Sequence, residues 1–165
     1  MDPGAVRPAE RPTVEDFQVV ILPDAVDVLR REHEEIRRLC AAVRGAERNR
    51  KKYPLAALQQ AVHLHELAER AVAHPAVRNS GPDGDAVALA CQVEGERLDR
   101  SLAELGRLGV EHPAFDERFA ALSGALLSHA AHEERDEFPL LRRYVPADRL
   151  HMMAGAMQDV RIMAG

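Results

Sequence analysis

The chain has 165 residues, enough for one domain that buries about two-thirds of its unfolded surface. It is rich in helix-forming aliphatic residues and contains 4% aromatic residues and no Trp, so it favours packed helices over a β-sandwich. The net charge of −5 comes from interleaved acidic and basic residues, without the basic stripe that nucleic-acid binding requires.

Two further observations indicate the cellular setting. No apolar run approaches the roughly 18 residues of a membrane span, and the N-terminus lacks a signal-peptide pattern. Cys40 and Cys91 are too few for a disulfide framework and are typical of a reducing cytosol. The sequence therefore predicts a cytoplasmic protein with neither a membrane nor a nucleic acid as partner.

Helical periodicity divides the chain into an N-terminal arm and five helices. Residues 1–23 are rich in proline and alternating charge, which indicates a partly disordered arm whose apolar end packs beside the first helix. Asp24 is a predicted N-cap, and Pro54 fits the first turn of the second helix, where its missing N–H costs nothing. The helices are predicted over about residues 24–45, 54–78, 85–108, 113–144 and 147–163.

Four long helices with short connections predict an all-α, up-down-up-down four-helix bundle over residues 24–145. An irregular helical array is the alternative that periodicity leaves open. Residues 146–165 are expected to form a C-terminal tail with a short fifth helix. The methionines of this tail are expected to cover one end of the core, with an adaptable docking surface as the alternative. They are Met152, Met153, Met157 and Met163.

Histidines fall on the apolar stripes of three of the predicted helices. Residues three or four apart share one helix face, which places His33 on the stripe of the first helix. On the second helix His65 and Glu69 are four apart on the stripe, and His129 and Glu133 repeat that spacing on the fourth. Polar groups on core stripes are costly unless something satisfies them.

These side chains carry the strongest chemical signal in the sequence. Antiparallel packing can bring the three histidines to one level, where imidazoles and carboxylates from different helices would converge. Such a nitrogen and oxygen set suits iron, manganese or zinc, and carboxylates that bridge two metals favour a di-iron or di-manganese centre. The alternative is that each residue makes an ordinary hydrogen bond in the core.

Three stretches of the chain contain the histidines of these stripes, and the last two also contain a glutamate four residues after the histidine and a proline further on. They are Asp27–His33, His65–Glu69 followed by His74–Val77, and His129–Glu134 followed by Phe138–Pro139. In this order and spacing the chain resembles the hemerythrin-like, or HHE, family. The resemblance implies a four-helix bundle that holds a di-iron centre. Carried over position by position, it implies metal ligands at His33, His65, Glu69, His129 and Glu133, with Glu66 as a further ligand known in some members.

The third helix departs from the family pattern. Where relatives supply a histidine this chain has Gly95, which costs about 1 kcal/mol relative to Ala in a helix interior. Restoring the side chain by Gly95→His is therefore expected to raise iron occupancy. His74 stands where relatives often carry Tyr, and it either orients a ligand or simply ends its helix. The preferred substitute for the missing ligand is His132, with Cys91, Glu94, Asp99, water or a small exogenous ligand as alternatives.

The resemblance implies an iron protein that binds or reacts with dioxygen, nitric oxide or peroxide, and it does not decide whether the protein is an enzyme. One iron instead of two is an open alternative because of Gly95. A degenerate or metal-free bundle that acts as a protein-interaction module is the competing interpretation. Iron storage is a third interpretation, but one short domain gives no sign of cage assembly.

Overall fold

The protein is described by a computed structural model covering residues 21–165, and residues 1–20 lie outside it. The predicted arm therefore falls almost entirely outside the described residues. Ile21 and Leu22, the described end of its apolar run, have exposed side chains. No helix in residues 21–165 has the length and apolar character to cross a membrane.

The described chain is helical and contains no strand between residues 21 and 165. Helices α2 and α4 are each continuous and contain one π-helical turn, and a short 3-10 turn, Arg48–Arg50, precedes α2. The helices are α1 (Ala25–Gly45), α2 (Lys52–Ala68, the π turn Glu69–Ala73, then His74–Arg78), α3 (Gly84–Leu108), α4 (Phe115–His132, the π turn Glu133–Glu137, then Phe138–Tyr144) and α5 (Ala147–Ala164). The predicted all-α fold is confirmed, and α5 ends one residue beyond the predicted span of 147–163.

Helix α1 begins where the sequence predicts it. The Asp24 carboxylate accepts a hydrogen bond from the backbone N–H of Asp27, and the Asp27 carboxylate accepts one from the backbone N–H of Asp24. This reciprocal capping box satisfies backbone donors that the first helical turn would otherwise leave without partners. Arg142 of α4 pairs with both carboxylates and ties the start of α1 to the end of α4.

The packing of the helices divides the core into two apolar clusters. Helix α2 packs against α1 and α3, α4 packs against α3 and α1, and α5 lies across α1 and α2. The cluster near α5 includes Leu29, Phe138 and Met157. The cluster at the other end includes Val62 and Phe119. Buried polar residues lie in the layer between the two clusters, at the same level on α1, α2 and α4.

The methionines of α5 divide between core and surface. Met153 and Met157 are buried in the cluster near α5, as expected for residues that cover one end of the core. Met152 and Met163 are exposed. The burial of α5 against α1 and α2 makes it a part of the packed fold.

The two π-helical turns occur at equivalent places. Each begins at a buried glutamate, Glu69 or Glu133, and each is followed by a proline six residues after that glutamate. The backbone N–H of His74 donates to the carbonyl of Glu69, and that of Phe138 to the carbonyl of Glu133, both five residues apart. Proline has no N–H for the normal helical bond, which favours this local widening. Such turns are frequent at functional sites.

Candidate metal centre

Four buried ligand groups meet in the polar layer and form what we call position A. They come from α1, α2 and α4, and the ligand atoms of all four lie within 4.8 Å of one another. The Nε2 atoms of His33 and His65 are 3.2 Å apart, and His65 Nε2 is 3.2 Å from Glu69 Oε2. His33 Nε2 is 3.2 Å from Glu133 Oε2. The four residues of position A are His33, His65, Glu69 and Glu133.

A second group, position B, adjoins the first and shares Glu69 with it. Ligand atoms of Glu66, Glu69 and His129 also lie within 4.8 Å of one another. His129 Nε2 is 3.4 Å from Glu66 Oε1 and 3.1 Å from Glu133 Oε1. The two oxygens of Glu133 thus face different positions, Oε2 toward A and Oε1 toward B. Glu69 and Glu133 are placed to bridge two cations.

The polar atoms of this layer are not satisfied by the protein itself. Among residues 21–165 no hydrogen-bond partner exists for either carboxylate oxygen of Glu69 or Glu133, or for His129 Nε2. The imidazoles of His33 and His129 lie 3.2 Å and 3.1 Å from the Glu133 oxygens, at ion-pair distance, without a hydrogen bond to them. Buried polar atoms without partners cost free energy, and bound cations would satisfy this set of nitrogens and oxygens. The residues therefore fit a two-metal centre.

An outer ring of carboxylates fixes the orientation of the three imidazoles. His33 Nδ1 is 2.8 Å from Glu134 Oε1 and His65 Nδ1 is 2.8 Å from Glu32 Oε2. His129 Nδ1 is 3.2 Å from Glu94 Oε2. An Nδ1–H that donates to a carboxylate leaves Nε2 with a free lone pair, which is the arrangement of metal-binding histidines. In all three residues Nε2 is the atom that faces the centre.

The buried charges act on one another strongly. Burial raises the pKa of Glu69, and the neighbouring Glu133 carboxylate raises it further. Burial would also raise the pKa of Glu133, but the imidazoles of His129, His33 and His65 hold it well below its usual value. Burial would lower the pKa of His129, yet Glu133 and Glu66 raise it to about 11. In the metal-free protein these directions favour a neutral Glu69, an ionised Glu133 and a protonated His129, so cation binding at these residues would release protons.

Gly95 explains how the position left by the missing α3 histidine is filled. A Cβ atom at Gly95 would lie 1.7 Å from Glu66 Oε2, so the Glu66 carboxylate occupies the space that a side chain on α3 would need. Glu66 is buried and belongs to position B. The short approach of α2 to α3 is possible because residue 95 has no side chain.

The other substitutes suggested by the sequence lie outside positions A and B. His132 Nδ1 is 2.9 Å from Glu94 Oε2, and its Nε2 is 3.3 Å from Asp136 Oδ2, toward the surface. Asp99 faces His63, with 2.9 Å between Asp99 Oδ2 and His63 Nδ1. Neither side chain is in contact with the buried ligand groups.

His74 and Cys91 lie beside the centre on the side of α5. Both are buried, and His74 Nδ1 is 2.7 Å from Glu137 Oε1. The ligand atoms of Cys91, Glu133 and Glu137 lie within 4.8 Å of one another. Burial raises the pKa of the Cys91 thiol, and the nearby carboxylates of Glu137 and Glu133 raise it further. Sequence reasoning missed Glu137, although it follows Glu133 by four residues on the same helix face.

A groove open to solvent lies between α3 and α4, and His129 of position B forms part of its lining. Its open volume is about 840 Å³, and His129 and Glu94 line its inner end. Small side chains on α4, including Ala121, Ala125 and Ser128, leave this space open. A small molecule can therefore approach His129 from this side of the bundle.

Comparison with known proteins agrees with this geometry. The sequence profile of a family described as Hemerythrin HHE cation binding domain matches residues 24–152. A crystal structure of a hemerythrin HHE cation binding domain-containing protein, the Rv2633c homolog from Mycobacterium kansasii, superposes with a TM-score of 0.74. That structure is 21% identical in sequence, and the alignment covers 87% of this chain and 90% of the other, a likeness of fold. A search of curated proteins finds no match.

Proposed function

Because this chain belongs to the hemerythrin HHE cation-binding family, we propose that it is a non-haem di-iron protein that binds or reacts with dioxygen, nitric oxide or peroxide. One observation carries the proposal. Two adjoining groups of buried ligands share Glu69, and Glu133 faces both groups. Two bridging carboxylates with histidines on either side are typical of di-iron carboxylate centres in helical bundles.

The proposed division of ligands follows from the distances. His33 and His65 would hold one iron at position A, and Glu66 and His129 would hold the other at position B. Glu69 and Glu133 would bridge the two irons. Each iron then has about four protein ligands, fewer than the six of an octahedral site, which leaves room for an exogenous ligand. Bound iron would supply an open coordination position and a change of oxidation state.

The chain itself would orient the ligands and control access. Glu32, Glu134 and Glu94 hold the Nδ1 side of the three imidazoles, which keeps Nε2 aimed at the centre. The apolar clusters above and below the layer exclude water along the bundle axis. The groove that reaches His129 is the proposed route of entry for a small ligand.

The interaction-module interpretation now has less support. It depended on Gly95 as a gap in the ligand set, and the Glu66 carboxylate occupies that gap. The measurement that separates the two functions is iron per chain in protein purified from iron-fed cells. A result near two irons per chain is expected for the di-iron centre. Protein that stays metal-free even after anaerobic iron loading would overturn the proposal.

His65→Ala is expected to remove most bound iron because His65 Nε2 faces both His33 and Glu69 at the centre of position A. Loss of such a ligand should weaken iron binding by about 100-fold or more. The matched control is His63→Ala on the same helix, whose side chain is 54% exposed and pairs with Asp99. Metal analysis of both purified variants checks this. Full iron in the His65→Ala protein would rule out position A.

Narrowing the groove is expected to slow ligand entry without removing iron. Ala125→Trp places a large side chain in the groove that leads to His129, whereas Ala131→Trp adds the same side chain to α4 at an exposed position that does not line the groove. The rate at which reduced, iron-loaded protein binds nitric oxide should fall about ten-fold in the first variant only. Equal rates in both variants would show that ligand enters elsewhere.

A further inference from the structure

Three buried polar side chains beside position A have no role in the proposed di-iron centre. They are Cys91 on α3, Glu137 on α4 and His74 on α2, and together with Glu133 of position A they form what we call the thiol pocket. All four side chains are almost completely buried. Ligand atoms of Cys91, Glu133 and Glu137 lie within 4.8 Å of one another, a spacing that one small cation can span.

Glu137 is the residue that most requires an explanation. Its carboxylate is fully buried, and only Oε1 has a partner, the Nδ1 atom of His74 at 2.7 Å. Within residues 21–165, Glu137 Oε2 and both oxygens of Glu133 lack hydrogen-bond partners. A fully buried carboxylate oxygen without a partner is costly in free energy. A cation in the thiol pocket would satisfy Glu137 Oε2 and would share the Glu133 carboxylate with position A.

We propose that the thiol pocket is a third cation position, with Cys91, Glu133 and Glu137 as ligands of a thiophilic divalent ion of the Zn²⁺ class. Three atoms at this spacing can all lie less than about 2.8 Å from one point, so small side-chain shifts reach zinc–sulfur distances near 2.3 Å and zinc–oxygen distances near 2.0 Å. A sulfur ligand distinguishes this position from A and B, which offer only nitrogen and oxygen. Binding releases the thiol proton to solvent as the sulfur–metal bond forms.

His74 acts in this site as a positioning residue. Its Nδ1 contacts Glu137 Oε1, which leaves Oε2 as the free oxygen of that carboxylate. Fixing one oxygen by a histidine restricts the rotation of the carboxylate, as outer partners of metal ligands commonly do. The proposal extends beyond the di-iron centre and shares only Glu133 with it.

The test uses Co²⁺ as a spectroscopic substitute for Zn²⁺, added to the metal-free full chain under anaerobic conditions. Thiolate ligation gives a sulfur-to-cobalt charge-transfer band in the near ultraviolet, and nitrogen and oxygen ligands do not. We expect this band in the unaltered protein, with about one more cobalt bound than in Cys91→Ser, which should lack the band. The matched control is Cys40→Ser, because Cys40 is an equally buried free cysteine in the apolar cluster at the other end.

Two further variants keep the test decisive if Cys91→Ser is unstable. Glu137→Gln should weaken the cobalt that gives the sulfur band by at least about ten-fold, and His74→Gln should do so by about ten- to 100-fold. Absence of the band in the unaltered protein, or its survival in Cys91→Ser, would overturn the proposal. Iron measured on the same preparations separates the two proposals. If only the di-iron centre is wrong, iron is absent while the sulfur band persists, and if only the thiol pocket is wrong, iron stays near two per chain without the band.

Discussion

Glu133→Gln should empty both metal positions. Glu133 Oε2 lies 3.2 Å from His33 Nε2 in position A, and Oε1 lies 3.1 Å from His129 Nε2 in position B. The amide of Gln is neutral, so it lacks the negative charge with which a carboxylate bridges two cations. Its NH₂ group would also point hydrogens at one of the cations. We expect the affinity for iron to fall by about 100-fold or more at both positions. Metal analysis should find less than about 0.2 iron per chain.

Loss of the fold is not the expected cause of this effect. The Glu133 carboxylate raises the pKa of the buried Glu69, whereas the imidazoles of His129, His33 and His65 hold the pKa of Glu133 itself well below its usual value. Removal of the Glu133 charge therefore relieves one repulsion and also removes favourable ion pairs, and we expect the metal-free Glu133→Gln protein to stay folded. A cooperative thermal unfolding transition monitored by circular dichroism checks this point. A variant that loses iron and shows no such transition would leave the bridging role unsupported.

The neighbouring glutamate supplies a graded control. Glu134 does not face the centre, but its Oε1 is 2.8 Å from His33 Nδ1. Glu134→Gln should weaken only position A, by about ten-fold, because it loosens one imidazole without removing a ligand. If Glu134→Gln and Glu133→Gln reduced iron equally, the effect would come from the local charge of α4 and not from bridging.

The fold followed from the sequence because helix periodicity and capping are local. The capping residue Asp24 and the first-turn proline of α2 gave helix starts within about two residues of those observed. The π-helical turns at Glu69 and Glu133 were not predicted. One hydrogen bond between residues five apart, in place of four, leaves the apolar stripe of the helix almost unchanged. The proline six residues after each glutamate was the available signal.

The candidate site could be predicted from the sequence only where its residues lie on the apolar stripes. His33, His65 and His129 meet at one level because each lies inside its helix at a similar height. Glu66 was given a lesser place because it is one residue from His65, and so about 100° around the helix. The Glu66 carboxylate reaches α3 because Gly95 has no side chain. The periodicity of a single helix cannot reveal a contact that depends on a residue of another helix.

Gly95→Ala should lower iron from about two to about one per chain without destabilising the fold. The new Cβ would lie 1.7 Å from Glu66 Oε2, and the flexible end of Glu66 can move away at little cost, which removes it from position B. Alanine in mid-helix should raise the unfolding free energy of the metal-free protein by about 0.5–1 kcal/mol. Gly124→Ala is the matched control, since a Cβ there meets nothing within 4 Å. It should give the same stabilisation and keep both irons.

Gly95→His tests whether Glu66 does the work that a histidine on α3 would do. The sequence alone suggested that this change would raise iron occupancy, but the structure places the Glu66 carboxylate where the new side chain must go. We therefore expect no gain from Gly95→His, because it exchanges one ligand for another. Glu66→Ala should reduce iron to about one per chain, and the double variant Glu66→Ala/Gly95→His should restore it to about two.

Two irons in the single variant Glu66→Ala would mean that position B does not need a ligand at this place. One iron in both Glu66→Ala and the double variant would mean that α3 cannot direct a histidine into position B. One iron in Glu66→Ala and two irons in the double variant would identify Glu66 and Gly95 as a pair in which a carboxylate from α2 replaces an imidazole from α3.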